Sequence, residues 1–415
     1  MRMRILPLAG LLVFSSAASA AGYSLQTLSP ETLVQLRSFA ERGELVLIES
    51  NRGGTLKQIT LMTVVRAPRQ IVWDVLSATE RYPDFVPNVV RSKTIVQRDH
   101  ERVVSWELEV PLINVEGKNR YRFSPPQAMD VDAVSGDLKT GAWRWELYPL
   151  GDDATLAVEY AYSDIRNLNR IIRWMIRGNM TLEHGLVLSA ATVFIKALKQ
   201  RAESIAGRGP AGRPDPKEQR KIVLRSLRAD SNGSLLRFDA LAPLLDRGTL
   251  ALVQSFPDGR LHQAVLMTRA YVPRNLVYDV AAHPENYDEF MSGIPQARAL
   301  RDDGKDLLYE MEVEAPLLNI QFKAHMIRGP DWLWVDTVGG DLRNAHFAWE
   351  FLPQGQKRTL MLYYTNSDLR RNSWVVRQLI NREPYFEHGV NVATGLITLG
   401  VVRGRAEGWV PTKNR

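Results

Sequence analysis

A long internal repeat constrains this chain more than any single motif does. The segment Val65–Val86 (VRAPRQIVWDVLSATERYPDFV) occurs again, with substitutions, as Ala270–Met291 (AYVPRNLVYDVAAHPENYDEFM). From Gly43 to Tyr121 the two copies lie 205 residues apart, and after one deletion they lie 204 apart. A repeat period of about 200 residues indicates two tandem domains rather than a solenoid of small units.

The register of the repeat predicts the domain boundaries. The first domain covers residues 22–205 and the second covers residues 225–410, and both are long enough to bury a core. Residues 206–224 between them are rich in glycine, proline and charge, which is typical of a linker.

Residues 1–20 have the pattern of a secretory signal peptide. Arg2 and Arg4 precede the apolar run Ile5–Phe14, and Ala18-Ser19-Ala20 supplies the small residues of a cleavage site. We therefore expect a periplasmic or secreted protein after cleavage near Ala20. The alternative is an N-terminal membrane anchor, for which the apolar run is short.

Composition narrows the classes of partner and chemistry. Without Arg2 and Arg4 the formal net charge falls from +7 to +5, and the basic residues are scattered, so we expect no nucleic-acid partner. The chain contains no cysteine, which excludes disulfides, thiolate nucleophiles and cysteine-ligated metals. The sequence leaves the oligomeric state open.

Alternation along the strands predicts an antiparallel sheet with one aromatic face and one charged face. In Val104–Val110 the apolar side chains alternate with Ser105, Glu107 and Glu109. Glu107 and Glu109 share a face with Arg120 and Arg122 of the next strand, so cross-strand ion pairs are the expected role of these carboxylates. We place Tyr160 and Tyr162 with the tryptophans on the aromatic face.

This order of elements, with an AP-x-x-x-VWDVLS-x-x-x-x-YP-x-FVP motif, resembles the START-like (SRPBCC) superfamily. That superfamily includes polyketide cyclase, coenzyme Q-binding and StAR-related lipid-transfer proteins. The motif residues are Ala67, Pro68, Val72, Trp73, Asp74, Val75, Tyr82, Pro83, Phe85 and Pro87, and the second copy departs from them at Asp288 and Ser292. The resemblance implies an α+β helix-grip fold, in which a curved antiparallel sheet wraps around a long C-terminal helix and leaves an apolar cavity.

The apolar and aromatic side chains assigned to the sheet face toward that cavity are the candidate ligand contacts. They are Trp106, Leu108, Tyr121, Trp143, Trp145, Tyr160, Tyr162, Leu186, Met311, Met326, Phe347, Trp349 and Tyr364. Two aromatic pairs, Tyr82 with Phe85 and Tyr287 with Phe290, are the candidate gates to the cavity.

A Glu-His dipeptide recurs near the start of the predicted long helix, as Glu183-His184 and Glu387-His388. Adjacent helical residues point about 100° apart and do not converge on one ion, so we expect no metal site here. A packed histidine with a satisfied ring is one interpretation. Contact with a ligand head group and acid-base catalysis are the others.

We find no nucleophile elbow, phosphate loop or dinucleotide motif, and we expect no cofactor and assign no catalytic residue. The interpretation that follows is an exported, non-catalytic protein that binds a lipid, quinone or sterol- or hopanoid-like molecule. It is expected to carry or sense this ligand in the periplasm, with transient contact to a membrane surface. The alternatives are a cyclase/aromatase-like enzyme on the same fold and an interaction module whose cavities are closed by side chains.

Overall fold

The computed structural model describes residue 25 and residues 29–51, 55–110, 113–138, 140–167, 180–208, 224–227, 238–256, 259–315, 318–342, 344–367 and 385–412. The predicted signal peptide and most of the predicted linker lie outside these ranges. The sequence also predicts a short helix over Asn167–Arg177, of which the structure describes Asn167 alone. Pro384, which predicts a break before the last long helix, lies outside the described residues.

The first copy begins with helix α1 and ends with the long helix α3. Ser29 caps α1 by accepting a hydrogen bond from the Thr32 backbone amide, and Pro30 occupies the first turn. The elements of this copy are α1 (Pro30–Ala40), β1 (Glu44–Ser50), β2 (Leu56–Val65), α2 (Arg69–Ser77), a 3-10 segment (Thr79–Asp84), β3 (Val89–Arg98), β4 (Glu101–Val110), β5 (Ile113–Ser124), β6 (Ala128–Gly136), β7 (Ala142–Pro149), β8 (Thr155–Tyr162), a 3-10 turn (Ile165–Asn167) and α3 (Met180–Ile205).

The second copy repeats this order with a shorter opening helix. Its elements are a 3-10 turn (Phe238–Leu241), α4 (Ala242–Leu245), β9 (Thr249–Ser255), β10 (Leu261–Ala270), α5 (Arg274–Ala282), a 3-10 segment (Pro284–Glu289), β11 (Gln296–Asp302), β12 (Asp306–Ala315), β13 (Leu318–Arg328), β14 (Trp332–Gly340), β15 (Ala345–Pro353), β16 (Thr359–Ser367) and α6 (Phe386–Ala406). The predicted α+β architecture of two tandem copies is confirmed.

The two copies form one continuous antiparallel sheet. Its sixteen strands run in the order β11 to β16, then β10, β9, β1, β2, and β8 back to β3. The copies join where β1 pairs with β9, and the repeat-equivalent residues Val46 and Ala251 lie opposite each other. A pseudo-twofold axis therefore passes through this pair. Gly43 and Gly248 lie at the two ends of the junction, where an added Cβ would overlap the Val253 and Ile48 carbonyls respectively.

Both faces of the sheet are covered at its centre. One face, here called the inner face, packs against the long helices α3 and α6, and the opposite, outer face packs against α1 and the segments 224–227 and 238–245. Each of these two cores contains residues from both copies. The predicted charged face is therefore restricted to the outlying strands, because β1, β2, β8 and their counterparts are buried on both sides.

The ion pairs of the charged face differ in part from the predicted ones. Glu107 lies 3.3 Å from Arg91, not beside Arg120 or Arg122. Arg120 instead pairs with Glu101, and Arg122 pairs with Asp132. The register explains this exchange, because Glu101 lies opposite Arg122 whereas Glu107 lies opposite Glu116.

The long helices are attached to the sheet in the same way in both copies. Glu203 of α3 accepts a hydrogen bond from the Arg66 amide just after β2, and Glu407 just after α6 does the same for Tyr271 just after β10, at 3.0 and 2.7 Å. The helices cross each other where Gly389 approaches Gly185 and Ser189. The glycine that follows each Glu-His dipeptide thus lies at the crossing of the two helices.

Candidate functional site

A cluster of four aromatic rings lies at the inner face of the first copy. Phe194 of α3 lies 5.0 Å from Tyr82 and 5.6 Å from Trp145, measured between ring centroids. Tyr82 also meets Phe85 edge to face at 5.8 Å. The predicted gate segment therefore packs directly on the long helix, in contact with the aromatic wall of the sheet.

Both predicted gates are fastened to the helix that precedes them. The Tyr82 hydroxyl donates to the Leu76 carbonyl at 2.6 Å, and the Tyr287 hydroxyl donates to the Ala281 carbonyl at 3.2 Å. Tyr82, Tyr287 and Phe290 are buried, and Phe85 is half-buried. Moving either segment away from the preceding helix would therefore break a buried hydrogen bond, and in the first copy it would also separate Tyr82 from Phe194.

The structure places most of the predicted ligand contacts on the inner face. Buried there are Trp106, Tyr121, Trp145, Met311, Met326 and Trp349. Half-buried are Leu108, Trp143, Leu186 and Phe347. Whether these side chains contact a ligand stays a prediction.

Tyr160 and Tyr364 lie on the outer face, which corrects the face that we assigned to them. The Tyr160 hydroxyl accepts the Leu25 amide at 2.9 Å and donates to Glu146 at 2.9 Å. Tyr364 makes the equivalent bonds to the Leu227 amide and Glu350. Tyr162 is half-buried and lies two residues further along the same side of β8. The alternation of side chains along β8 did not identify the inner face, because both faces of this strand are apolar.

The side chains of β8 that do face α3 are small or acidic. They are Ala157, Glu159 and Ala161, and Glu159 lies between Leu61 of β2 and Trp145 of β7 in the sheet. Glu159 is 4% exposed, and burial raises the pKa of its carboxyl to about 8. The sequence pattern did not indicate this residue. The signal that could have found it is an acidic residue in an otherwise apolar strand, with an alanine two positions before it and another two positions after it.

In the second copy a tyrosine occupies the position of Glu159. Tyr363 lies between Leu266 and Trp349, as Glu159 lies between Leu61 and Trp145. Its ring stacks on Phe347 at 6.3 Å and meets Trp349 at 4.5 Å. The two inner faces are therefore chemically different at the same point of the fold.

The two Glu-His dipeptides have different surroundings. Glu183 is half-buried and lies 3.7 Å from Arg166, which also pairs with Asp164. His184 is 2% exposed, burial lowers its pKa, and neither ring nitrogen has a hydrogen-bond partner among the described residues. The described residues supply no partner to this ring, and the three interpretations of His184 stay predictions.

In the second copy Glu387 is buried, and His388 Nε2 lies 3.0 Å from the hydroxyl of Ser255. Lys196 of the first copy donates to the same hydroxyl at 3.0 Å and pairs with Glu44 at 2.7 Å. This buried chain of polar groups crosses from one copy to the other. His388 therefore contributes to the contact between the copies.

Among the described residues, no group of His, Asp and Glu side chains is arranged to hold a metal ion. An open groove of about 190 Å³ lies over β11–β14 in the second copy, and its lining includes Glu310, Glu312 and Lys323. The lining also includes Phe322 and Met311, one of the predicted ligand contacts, so the groove has both charged and apolar walls. None of the described helices has the length and apolarity needed to cross a membrane.

Comparisons with solved structures give several distant likenesses. One is StfQ, a di-domain aromatase/cyclase from the steffimycin biosynthetic pathway. It is 11% identical to this chain with a TM-score of 0.28, and the match covers 84% of this chain and 99% of StfQ. A STAR-related lipid transfer protein from Xanthomonas axonopodis is 15% identical with a TM-score of 0.32, covering 39% of this chain and 94% of its own. A START superfamily protein from Mycobacterium smegmatis is 15% identical with a TM-score of 0.29, covering 36% of this chain and 98% of its own.

At these scores the likenesses carry no argument about function. No protein with a curated description matches the chain. The sequence profile of a single family, described as polyketide cyclase / dehydrase and lipid transport, matches twice, at residues 65–180 and 271–387. Together these matches cover more than half of the chain and fall on the two copies of the repeat, so this protein belongs to the polyketide cyclase / dehydrase and lipid transport family.

Proposed function

We propose that this protein is a non-catalytic binding protein that holds an uncharged hydrophobic molecule between the inner face of its sheet and a long helix. The observation that carries this proposal is the ring cluster of Tyr82, Trp145 and Phe194, which joins gate, sheet and helix. Lipids, quinones and sterol- or hopanoid-like compounds are the ligand classes that suit such a surface. Membership of a family that includes lipid transport supports the same choice.

The driving force for binding is the removal of apolar surface from water. At about 25 cal/mol per Å², a ligand that buries roughly 300 Å² gains about 7 kcal/mol, which corresponds to micromolar affinity. Entry requires the Tyr82–Phe85 segment to leave α3 and expose the rings beneath it. The same segment would reclose over the bound ligand.

The proposed location is the periplasm or the medium, with loading from a membrane surface. The support is the signal-peptide pattern of residues 1–20, with Arg2 and Arg4 before an apolar run. N-terminal sequencing of the protein from its own host tests this location. An N-terminus at Ala21 or Gly22 is expected, and an intact Met1 would contradict export by cleavage.

The binding proposal is tested with delipidated full-length protein and fluorescent hydrophobic probes. Diphenylhexatriene, a quinone and a fluorescent sterol are titrated separately, and low-micromolar uptake of at least one of them is expected. Tyr82→Ala should speed both uptake and release, because it removes the hydrogen bond to Leu76 and the contact with Phe194. Absence of uptake of every probe would overturn the proposal.

The cyclase alternative is tested at the two histidines. A double His184→Ala, His388→Ala variant should keep probe affinity within a few-fold of the unmodified protein. An acid-base catalyst would instead lose a factor of about 10² or more in rate on a polyketide-like substrate. Turnover that depends on these two histidines would replace the binding proposal with the enzymatic one.

A further inference from the structure

Besides His184, four buried polar side chains in the first copy have an atom without a hydrogen-bond partner among the described residues. The atoms are Thr79 Oγ1, Trp106 Nε1, Asn119 Oδ1 and Glu159 Oε2. Trp106, Asn119 and Glu159 lie on the inner face of the sheet, and Thr79 begins the 3-10 segment that carries Tyr82. An unpaired buried polar group costs roughly 1–3 kcal/mol, so four together require an explanation.

The second copy shows that the fold itself does not need these groups. The repeat register places Pro284, Met311, Ala324 and Tyr363 at the four positions. The strand pairing agrees, because Asn119 lies opposite Val104 as Ala324 lies opposite Tyr309. No atom of these four counterparts is a buried polar atom without a partner. At these four positions the same architecture is thus built once with unpaired polar atoms and once without them.

The surroundings of Glu159 suit a carboxyl group whose hydrogen-bond partner is a ligand. Its neighbours on the same side of β8 are Ala157 and Ala161, which leave the carboxyl uncrowded along the strand. Glu159 interacts electrostatically with the phenol of Tyr82, which also interacts with that of Tyr121. Burial raises the pKa of both phenols, with a smaller contribution from Glu159 at Tyr82. With its own pKa near 8, Glu159 is a neutral acid at pH 7, able both to donate and to accept a hydrogen bond.

We infer that the first copy alone holds the ligand, and that Glu159 hydrogen-bonds an uncharged carbonyl or hydroxyl oxygen on an otherwise apolar molecule. This inference rests on the proposed function. Trp106 Nε1 can only donate and Asn119 Oδ1 can only accept, so the inner face offers both kinds of partner to oxygen functions elsewhere on the ligand. In the second copy the stacked ring of Tyr363 fills the position of the carboxyl. That copy then serves to complete the sheet and both cores.

The test compares a hydrocarbon probe with a ketone probe on the full-length protein. Diphenylhexatriene has no polar atom, whereas 6-lauroyl-2-dimethylaminonaphthalene carries a ketone whose emission shifts to the red when it accepts a hydrogen bond. The variants are Glu159→Gln, which keeps a donor, and Glu159→Leu, which keeps only the apolar volume. Tyr363→Phe at the equivalent position of the second copy is the matched control.

We expect a stoichiometry of one ketone probe per chain. Glu159→Leu should weaken ketone binding about tenfold and shift its emission to the blue, while hydrocarbon binding stays within twofold. Glu159→Gln should keep most of the affinity, and Tyr363→Phe should change neither probe. Because both Glu159 substitutions are of similar size to the original side chain, thermal unfolding is expected to verify that each variant folds.

Three other outcomes separate the inference from the proposed function. If both probes bind and Glu159→Leu leaves the ratio of their affinities unchanged, the binding function stands but the role of Glu159 is overturned, and buried water is the partner of these groups. If two ketone probes bind per chain, the assignment to one copy is overturned. If neither probe binds to any variant, the proposed function fails and this inference fails with it.

Discussion

At the scale of single residues, Glu159 predicts how stability depends on pH. Its pKa is near 8 in the folded chain and about 4.5 when exposed, so between these values the folded state keeps a proton that the unfolded state has lost. The free energy of unfolding should therefore fall as pH rises from about 4.5 to about 8, with a limiting slope of about 1.4 kcal/mol per pH unit. Glu159→Gln should remove this slope in urea denaturation at a series of pH values.

The exposed Glu109 on β4 provides the control for this measurement. Glu109→Gln should leave the slope between pH 4.5 and 8 in place. An unchanged slope in Glu159→Gln would show that the Glu159 carboxyl is already ionised in the folded protein at neutral pH.

The sequence identified Tyr160 as an aromatic residue of the sheet, but it did not identify the face of the sheet on which Tyr160 lies. Tyr160→Phe removes the bonds to the Leu25 amide and Glu146, and should lower the free energy of unfolding by about 1–3 kcal/mol. Because the ring lies on the outer face, probe affinity should not change. Tyr364→Phe should behave alike, since it breaks the equivalent pair with Glu350. A change in affinity at unchanged stability would return Tyr160 to the ligand site.

At the scale of elements, the crossing of α3 and α6 gives a prediction with an internal control. A Cβ added to Gly389 would overlap Ser189 Oγ and lie 2.5 Å from the Gly185 carbonyl, whereas at Gly400 on the same helix nothing lies within 4 Å. Gly389→Ala should therefore destabilise by about 1–3 kcal/mol through overpacking. Gly400→Ala should be neutral or stabilise by up to about 1 kcal/mol, because alanine favours helix. Thermal and urea unfolding measure the stability of both variants. Equal stabilities would contradict the prediction and would mean that α3 and α6 can move apart without loss of stability.

The elements also show where sequence patterns are informative. Pro68, the turn after α2 and the alternation in β4 and β12 were predictable, because each depends on local backbone geometry or on one buried face. The helix face was predicted less well. The spacing of Leu182, Leu186, Ala190, Val193 and Ala197 predicts that they share the face over the sheet. Ala190 is exposed, however, while Leu188, Ala191 and Ile195 join the inner core. A helix that packs on a sheet and on a second helix is apolar around much of its circumference, so periodicity alone does not fix its orientation.

At the scale of the whole molecule, the repeat predicted two copies but not their union in one sheet. The β1–β9 junction consists of backbone hydrogen bonds between two apolar strands, and such strands leave no distinctive side-chain pattern. The polar chain from Glu44 through Lys196 and Ser255 to His388 was equally hidden, because its members come from four elements in both copies. The unpaired groups around Glu159 became evident only when the two inner faces were compared position by position.

The buried pair of Lys196 and Glu44 predicts how strongly the two copies depend on each other. Both side chains are less than a tenth exposed and lie 2.7 Å apart, and Lys196 also donates to Ser255 of the second copy. Removing one partner leaves a buried charge, so Lys196→Met or Glu44→Gln alone should cost about 3–5 kcal/mol. The double variant should cost less than the sum of the two single variants, by a coupling of about 1–3 kcal/mol in a double-mutant cycle. Since both cores are shared, we expect each variant to unfold in one transition, and a separate early transition of either copy would contradict a jointly folded sheet.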